Sequence, residues 1–332
     1  MKTLFDETQL NNMNLKNRLI RSATWEGMAD ADGRPTARLS NVYRSLANGG
    51  TGLIITGTAF ITSAGLGSGN MGIYDDTFIR NYHSLTQITH QADCPVVLQI
   101  ALAPQGAKTA PAALSVRELQ QIIHEYGKSA LRAKQAGFDG VQIHVAHGFF
   151  LSQFIHPEKN TRQDEYGGSL PKRTRFLLEI YDEIRTLTGE DFSVLLKIDG
   201  TDVSGSTKLV DACQYACVQL AQRGLDAIEI SGEAGAVIPG RKQPYPEAVF
   251  RDYAANIAEL VQIPVILVGL NRTPAVLETL LNTTNIAYFS LSRPLIREPD
   301  LVNLWRLNPN KQADCISCNR CFRSDGNTCV LR

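Results

Sequence analysis

The sequence predicts a closed (β/α)8 (TIM) barrel with a short cysteine-rich tail. Three observations predict it: eight apolar, β-branched runs, segments of helical period between them, and a span of about 300 residues to hold eight such units. In chain order the runs are NRLIRSAT (17–24), TGLIITGTAF (51–60), PVVLQIALA (95–103), FDGVQIHVAHG (138–148), FSVLLKIDG (192–200), LDAIEISGE (225–233), PVILVG (264–269) and NIAYFSLSR (285–293). Their near-continuous apolar character predicts burial on both faces, and strict alternation with helices predicts right-handed parallel crossovers. Between them, SVRELQQIIHEYGKSALRAKQAG (115–137) has a capping-box pattern at Ser115 and Glu118 and a stop at Gly137. A second helical stretch is RTRFLLEIYDEIRTLTG (173–189).

The rival architecture is a doubly wound dinucleotide-binding sheet, which needs G-x-G-x-x-G at its first strand-to-helix turn. The nearest stretch, GLGSGN (65–70), follows the second strand with the wrong spacing and reads as a flexible loop. One boundary is expected near LNPNKQAD, giving a barrel over 1–308 and a tail over 309–332.

The 332 residues carry 33 basic and 33 acidic side chains, with no basic block to neutralise phosphates, so nucleic acid is excluded as an expected partner. MKTLFDETQL lacks an apolar signal core, and runs such as IPVILVGL (263–270) fall well short of the ~20 residues that span a bilayer. A soluble, cytoplasmic protein with no membrane partner is expected. Cys94, Cys213 and Cys217 read as small buried hydrophobes, whereas Cys315, Cys318, Cys321 and Cys329 crowd together near the end, a pattern that in a reducing compartment suggests metal binding before disulfides.

In such a barrel the chemistry sits at the carboxyl ends of the strands. Strands seven and eight end in VGLN and SLSRP, offering backbone amides and Arg293 to a phosphate monoester, with a surface ion pair as the alternative for the arginine. Lys197 lies inside an apolar run, where an ammonium is costly unless it meets an anion. It is a structural partner of Asp199 or Glu229, a Schiff-base nucleophile, or a fixed charge beneath a ligand that becomes anionic. His144 and His147 are three apart, so on an unbroken strand they would face opposite sides. If the strand breaks at His147, as Gly148 suggests, the two can act together as donors to a substrate oxygen; a metal pair or structural roles are the alternatives.

From residue 1 to about 305 the chain resembles the old yellow enzyme family of NAD(P)H:flavin oxidoreductases, FMN-containing (β/α)8 barrels. The resemblance rests on LKNRLIRSATWEG (15–27), GLIITG (52–57), IHVAHGFFLSQF (143–154), NTRQDEYGGS (160–169) with KRTRF (172–176), and SRPLIREPDL (292–301). It implies FMN across the barrel mouth, its phosphate held by Arg293 and the backbone near Gly269, Asn271 and Ser292. It also implies Gln99 at the pyrimidine edge, Lys197 beside N1 and O2 in place of the arginine of many members, and Ala23, Thr24 and Thr58 against the ring. His144 and His147 match the pair that polarises a substrate carbonyl or nitro group. NAD(P)H would reduce the flavin, which would then reduce a small-molecule electrophile such as an α,β-unsaturated carbonyl compound; relatives form dimers and tetramers, so a homo-oligomer is expected.

Several residues depart from the family pattern. Phe149 stands where many members have a proton-donating tyrosine, Trp25 where relatives have cysteine, threonine or histidine, and Leu102 and Gln105 where a histidine and an arginine are usual. The tail resembles the four-cysteine [4Fe-4S] motif of larger members similar to 2,4-dienoyl-CoA reductase and trimethylamine dehydrogenase, but its C-x2-C-x2-C-x7-C spacing is shorter at both later gaps. Iron-sulfur, zinc or no metal remain open for it. The expected activity is FMN-dependent reduction of an activated alkene. The alternatives are an FMN/iron-sulfur electron-transfer protein and a Lys197 aldolase.

Overall fold

The computed structural model describes residues 1–64, 66–67, 69–103, 110–201, 207–232, 246–323 and 325–331. Gly65 and Ser68 of the expected loop, and Gln105, lie outside the described residues. The strands in chain order are β1 (Thr8–Leu10), β2 (Met13–Leu15), β3 (Leu19–Arg21), β4 (Leu53–Phe60), β5 (Met71–Gly72), β6 (Val96–Ala101), β7 (Gly140–Val145), β8 (Ser193–Asp199), β9 (Ala227–Ser231), β10 (Val265–Val268) and β11 (Tyr288–Leu291). Parallel pairing runs β3-β11-β10-β9-β8-β7-β6-β4, and a further parallel β3–β4 pairing closes the ring, so the eight expected runs supply the eight staves. The fold is a TIM barrel. Every residue of β6 through β11 is buried, which is why those runs lack polar alternation.

The helices pack outside: α1 (Ala37–Asn48), α2 (Thr77–His90), α3 (Val116–Gln135), α4 (Phe150–Ile155), α5 (Leu170–Thr188), α6 (Thr207–Gln222), α7 (Arg251–Leu260), α8 (Pro274–Thr283), α9 (Arg293–Arg297) and α10 (Leu301–Leu307). Ser115 and Glu118 form the expected capping box on α3, and Gly137 follows its end at φ +87°. The α5 helix begins at Leu170, earlier than its apolar spacing suggested, because Ser169 takes the N-cap position and Pro171 fits the first turn, where its missing N–H costs nothing.

Inside the ring the filling changes with height. Toward the amino ends of the strands Ile20, Leu53, Ile55, Val97, Leu195, Ala227, Ile266 and Tyr288 form an apolar plug. Leu10, Met13 and Leu15 of the antiparallel β1–β2 hairpin join it. That hairpin was not expected from the sequence. Above the plug the interior turns polar. After α10 the described residues form no helix or strand, and the tail lies against the segment following β3: Asn327 N–H donates to Glu26 O at 2.8 Å, its side-chain amide donates to Trp25 O, and Phe322 stacks on Trp25 at 5.7 Å. No helix among the described residues is long and apolar enough to cross a membrane.

Candidate functional site

Register brings the polar residues of neighbouring strands into one layer. Thr58 pairs with Gln99 and Gln99 with Gln142; one step higher, His144 pairs with Lys197 and Lys197 with Glu229. Thr58 Oγ1 donates to Gln99 Oε1, Gln99 Nε2 to Gln142 Oε1 at 2.8 Å, and Gln142 Nε2 to Glu229 Oε2 at 3.0 Å. Glu229, fully buried, also accepts from Ser22 Oγ and Ser290 Oγ, each at 2.6 Å, and lies 3.2 Å from Lys197 Nζ. Burial alone would raise its pKa, but Lys197 and the three hydrogen-bond donors outweigh that and hold the carboxyl below its ordinary value. Lys197 Nζ donates to Ser22 Oγ at 2.8 Å and forms an ion pair with Glu229 Oε2 at 3.2 Å. Its ammonium has no further side-chain partner among the described residues, which leaves an N–H open.

The histidine pair depends on a broken strand. The β7 strand ends at Val145, His147 takes φ +62° and Gly148 φ +74°, and the turn swings the second ring to 5.3 Å from the first at 65°. A histidine in the left-handed region is uncommon and has to be held there. Asp199 Oδ2 holds it, accepting the His147 backbone N–H at 2.6 Å, while Ser231 Oγ lies 2.9 Å from His147 Nε2. Burial and then the neighbouring charges of His147 and Lys197 push His144 well below the ordinary histidine value. Burial and Lys197 bring His147 down to about 3. Both rings are therefore neutral near pH 7, each carrying one N–H, and His147 can offer its own from Nδ1 when Ser231 Oγ donates to Nε2. His144 Nδ1 is buried with no hydrogen-bond partner among the described residues.

Around this pair, the Phe149 ring sits edge-on to His144 at 4.7 Å and packs against Phe60, Ala101 and Ala103. It carries no acidic proton. Trp25, half-buried, commits its Nε1–H to Asn70 Oδ1 at 2.7 Å and stacks on Phe322. Ala23 packs onto the apolar plug, and Thr24 Oγ1 lies 2.8 Å from Ser292 Oγ, joining the ends of β3 and β11. Gly269 has φ +120°, a region that suits glycine, while Asn271 uses its amide to bind Leu267 O and Ser290 O at 2.9 and 3.0 Å, clamping the ends of β10 and β11. The structure turns Arg293 toward the tail, where it donates to Asn319 Oδ1 and lines the cavity of the cysteines.

Cys315, Cys318, Cys321 and Cys329 line one small cavity of ≈ 20 Å³ together with Arg293 and Arg297. Among the described residues no three His, Cys, Asp or Glu side chains are close enough to hold a single metal ion, at these cysteines or at His144 and His147. Zinc draws four thiolates to ~2.3 Å from one point, so the tail as it stands does not fit zinc. Cys94, Cys213 and Cys217 are buried and free, as expected.

Sequence reading missed Arg21 and Gln142. Arg21 is 1% exposed, pairs with Glu26 at 2.7 Å and donates to Ser292 O at 2.5 Å, bracing the end of β3 against β11. The signal was there: like Lys197, it is a cation inside an apolar run.

The donor set tests whether a flavin suits this chain. An open lysine N–H and the amide of Gln99 stand at the carboxyl ends of β8 and β6, and they suit the polar edge of a flavin ring. The model of the NADH:flavin oxidoreductase / NADH oxidase family matches residues 3–113 and 107–312. A metal reductase from Desulforamulus reducens is 29% identical over 342 residues, 96% of this chain and 51% of the relative. An NADH oxidase from Thermoanaerobacter brockii is 29% identical over 343 residues, 95% of this chain and 52% of the relative. The chain thus spans about half the length of these curated relatives. The structure of an old yellow enzyme homologue from Zymomonas mobilis superposes with a TM-score of 0.81 at 23% identity, covering 95% of each chain.

Proposed function

The chain belongs to the NADH:flavin oxidoreductase / NADH oxidase family, and from that premise we propose that it is an FMN-dependent enzyme passing hydride from NAD(P)H to an activated alkene such as an α,β-unsaturated carbonyl compound. The observation that carries the reading is the convergence of one open Lys197 N–H and two neutral imidazoles at a single end of the barrel. Lys197 and Gln99 would hold the pyrimidine edge, Thr58, Ala23 and Thr24 the ring, and the backbone near Gly269, Asn271 and Ser292 the phosphate. Arg293 reaches that phosphate if it leaves Asn319. Bound there, FMN would supply the site that accepts and returns the hydride.

His144 and His147 would each give one N–H to the substrate oxygen, where negative charge grows as hydride arrives at the β-carbon. Neutral donors fixed in a buried site stabilise such charge without reorganising. Asp199 and Ser231 hold the second ring in place for this. Phe149 cannot protonate the α-carbon, so that proton comes from water or from another acid, and Trp25 walls the pocket. The four tail cysteines would hold a [4Fe-4S] cluster.

Two contacts favour a second reading, electron transfer between that cluster and FMN: the Trp25–Phe322 stack and the Arg293–Asn319 bond fasten the cysteine cavity to the barrel mouth. Anaerobic spectroscopy separates the two. NADH or NADPH should bleach a bound flavin and an enone should restore its colour within seconds. Bleaching without restoration by any enone would favour electron transfer, and no bleaching by either nucleotide would refute the hydride reading.

A further inference from the structure

We propose that Glu229 sets how strongly this protein favours the reduced form of its flavin, by cancelling the charge of Lys197 through the ion pair that joins them inside the barrel. The proposal rests on the flavin reading above, and it changes what that reading implies: the resemblance alone suggests an uncompensated cation beside the ring.

The geometry argues against a lone cation. Glu229 is fully buried, and its two oxygens take three hydrogen-bond donors, two serine hydroxyls and the Gln142 amide, and face the Lys197 ammonium, so the carboxylate is held ionised rather than neutralised by a proton. Lys197 is 3% exposed and 3.2 Å from that charge. The buried group as a whole is then close to neutral. The other charged groups in reach are Asp199, which supports His147 from the end of β8, and the Arg21–Glu26 pair, which is already balanced. His144 and His147 are uncharged in this setting.

A cation near the reduced ring stabilises it, and a compensated cation does so less. Glu229 also acts at a second point. By accepting from Gln142 it fixes which end of that amide faces Gln99, and so leaves Gln99 donating to Gln142 and accepting from Thr58. Both effects pass through other residues, so Glu229 is a positioning residue and not a catalytic one.

The test is equilibrium reduction of the FMN-loaded protein against a reference dye, comparing the parent with Glu229→Gln, Lys197→Met and the double variant. Glu229→Gln frees the Lys197 charge and should shift the reduced-to-oxidised ratio at least tenfold toward reduced flavin, about 30 mV upward for a two-electron couple. Lys197→Met should shift it at least tenfold the other way. The double variant, lacking both charges, should stay within threefold of the parent. An unchanged or downward shift in Glu229→Gln overturns the proposal, because loss of a merely structural carboxylate would cost stability without raising the potential. If Glu229→Gln does not fold, the double variant decides: a ratio within threefold supports compensation, and a fall as large as that of Lys197→Met overturns it. Failure of the parent to retain FMN would remove the flavin reading and this proposal together, whereas FMN retained with an unmoved potential removes the proposal alone.

Discussion

Replacing His144 by asparagine should make the protein less sensitive to acid. His144 is 4% exposed and its pKa is pushed well below the ordinary value, first by burial and then by His147 and Lys197. A histidine whose folded pKa is depressed binds a proton more readily when unfolded, so its contribution to stability falls as pH drops through the unfolded value of about 6.5. The loss is about 1.4 kcal/mol for each further pH unit, or about 2 kcal/mol between pH 7 and pH 5, for a ring that stays neutral when folded. His147, held near 3 and with 29% of its side chain exposed, should contribute somewhat less. The assay is urea unfolding of the parent and His144→Asn at pH 7 and pH 5. The difference of differences cancels the other titrating groups and should show the variant losing about 2 kcal/mol less than the parent. Equal losses would mean that His144 is protonated in the folded protein, and the neutral donor pair would then be wrong.

Two further substitutions test other parts of the site. Arg21→Met leaves the buried Glu26 carboxylate without its partner and should cost about 3–5 kcal/mol in urea unfolding at pH 7; a cost under about 1 kcal/mol would show that the pair does not brace β3. Phe149→Tyr puts a phenol beside His144 and should raise enone turnover by about 10²-fold if protonation of the α-carbon limits the rate, while unchanged turnover would place the limitation elsewhere.

The barrel was legible in the sequence because its strands are buried on both faces, so runs such as VVLQIA and SVLLKID stand out without any need for register. The β1–β2 hairpin was not, since two three-residue strands carry too little period to distinguish from loop. Lys197 was legible as a misplaced cation, and the His144–His147 pair as a motif ended by glycine. Their partners were harder to assign. Glu229 and Ser231 were visible as strand-end residues, but that Lys197 meets Glu229 and His147 meets Ser231 follows from strand register and from the left-handed turn at His147, which only the fold fixes. The contact of Arg293 with the tail was not legible either, because the path of the tail back to the barrel mouth is not encoded in the cysteine spacing.

Retention of FMN is the most direct test of the whole account. Protein expressed with ample riboflavin should purify yellow, with the two-banded visible spectrum of an oxidised flavin and about one FMN per chain. A colourless protein that takes up no FMN on reconstitution would contradict a flavin at the mouth of this barrel, and with it the roles assigned to Lys197, Gln99 and the paired histidines.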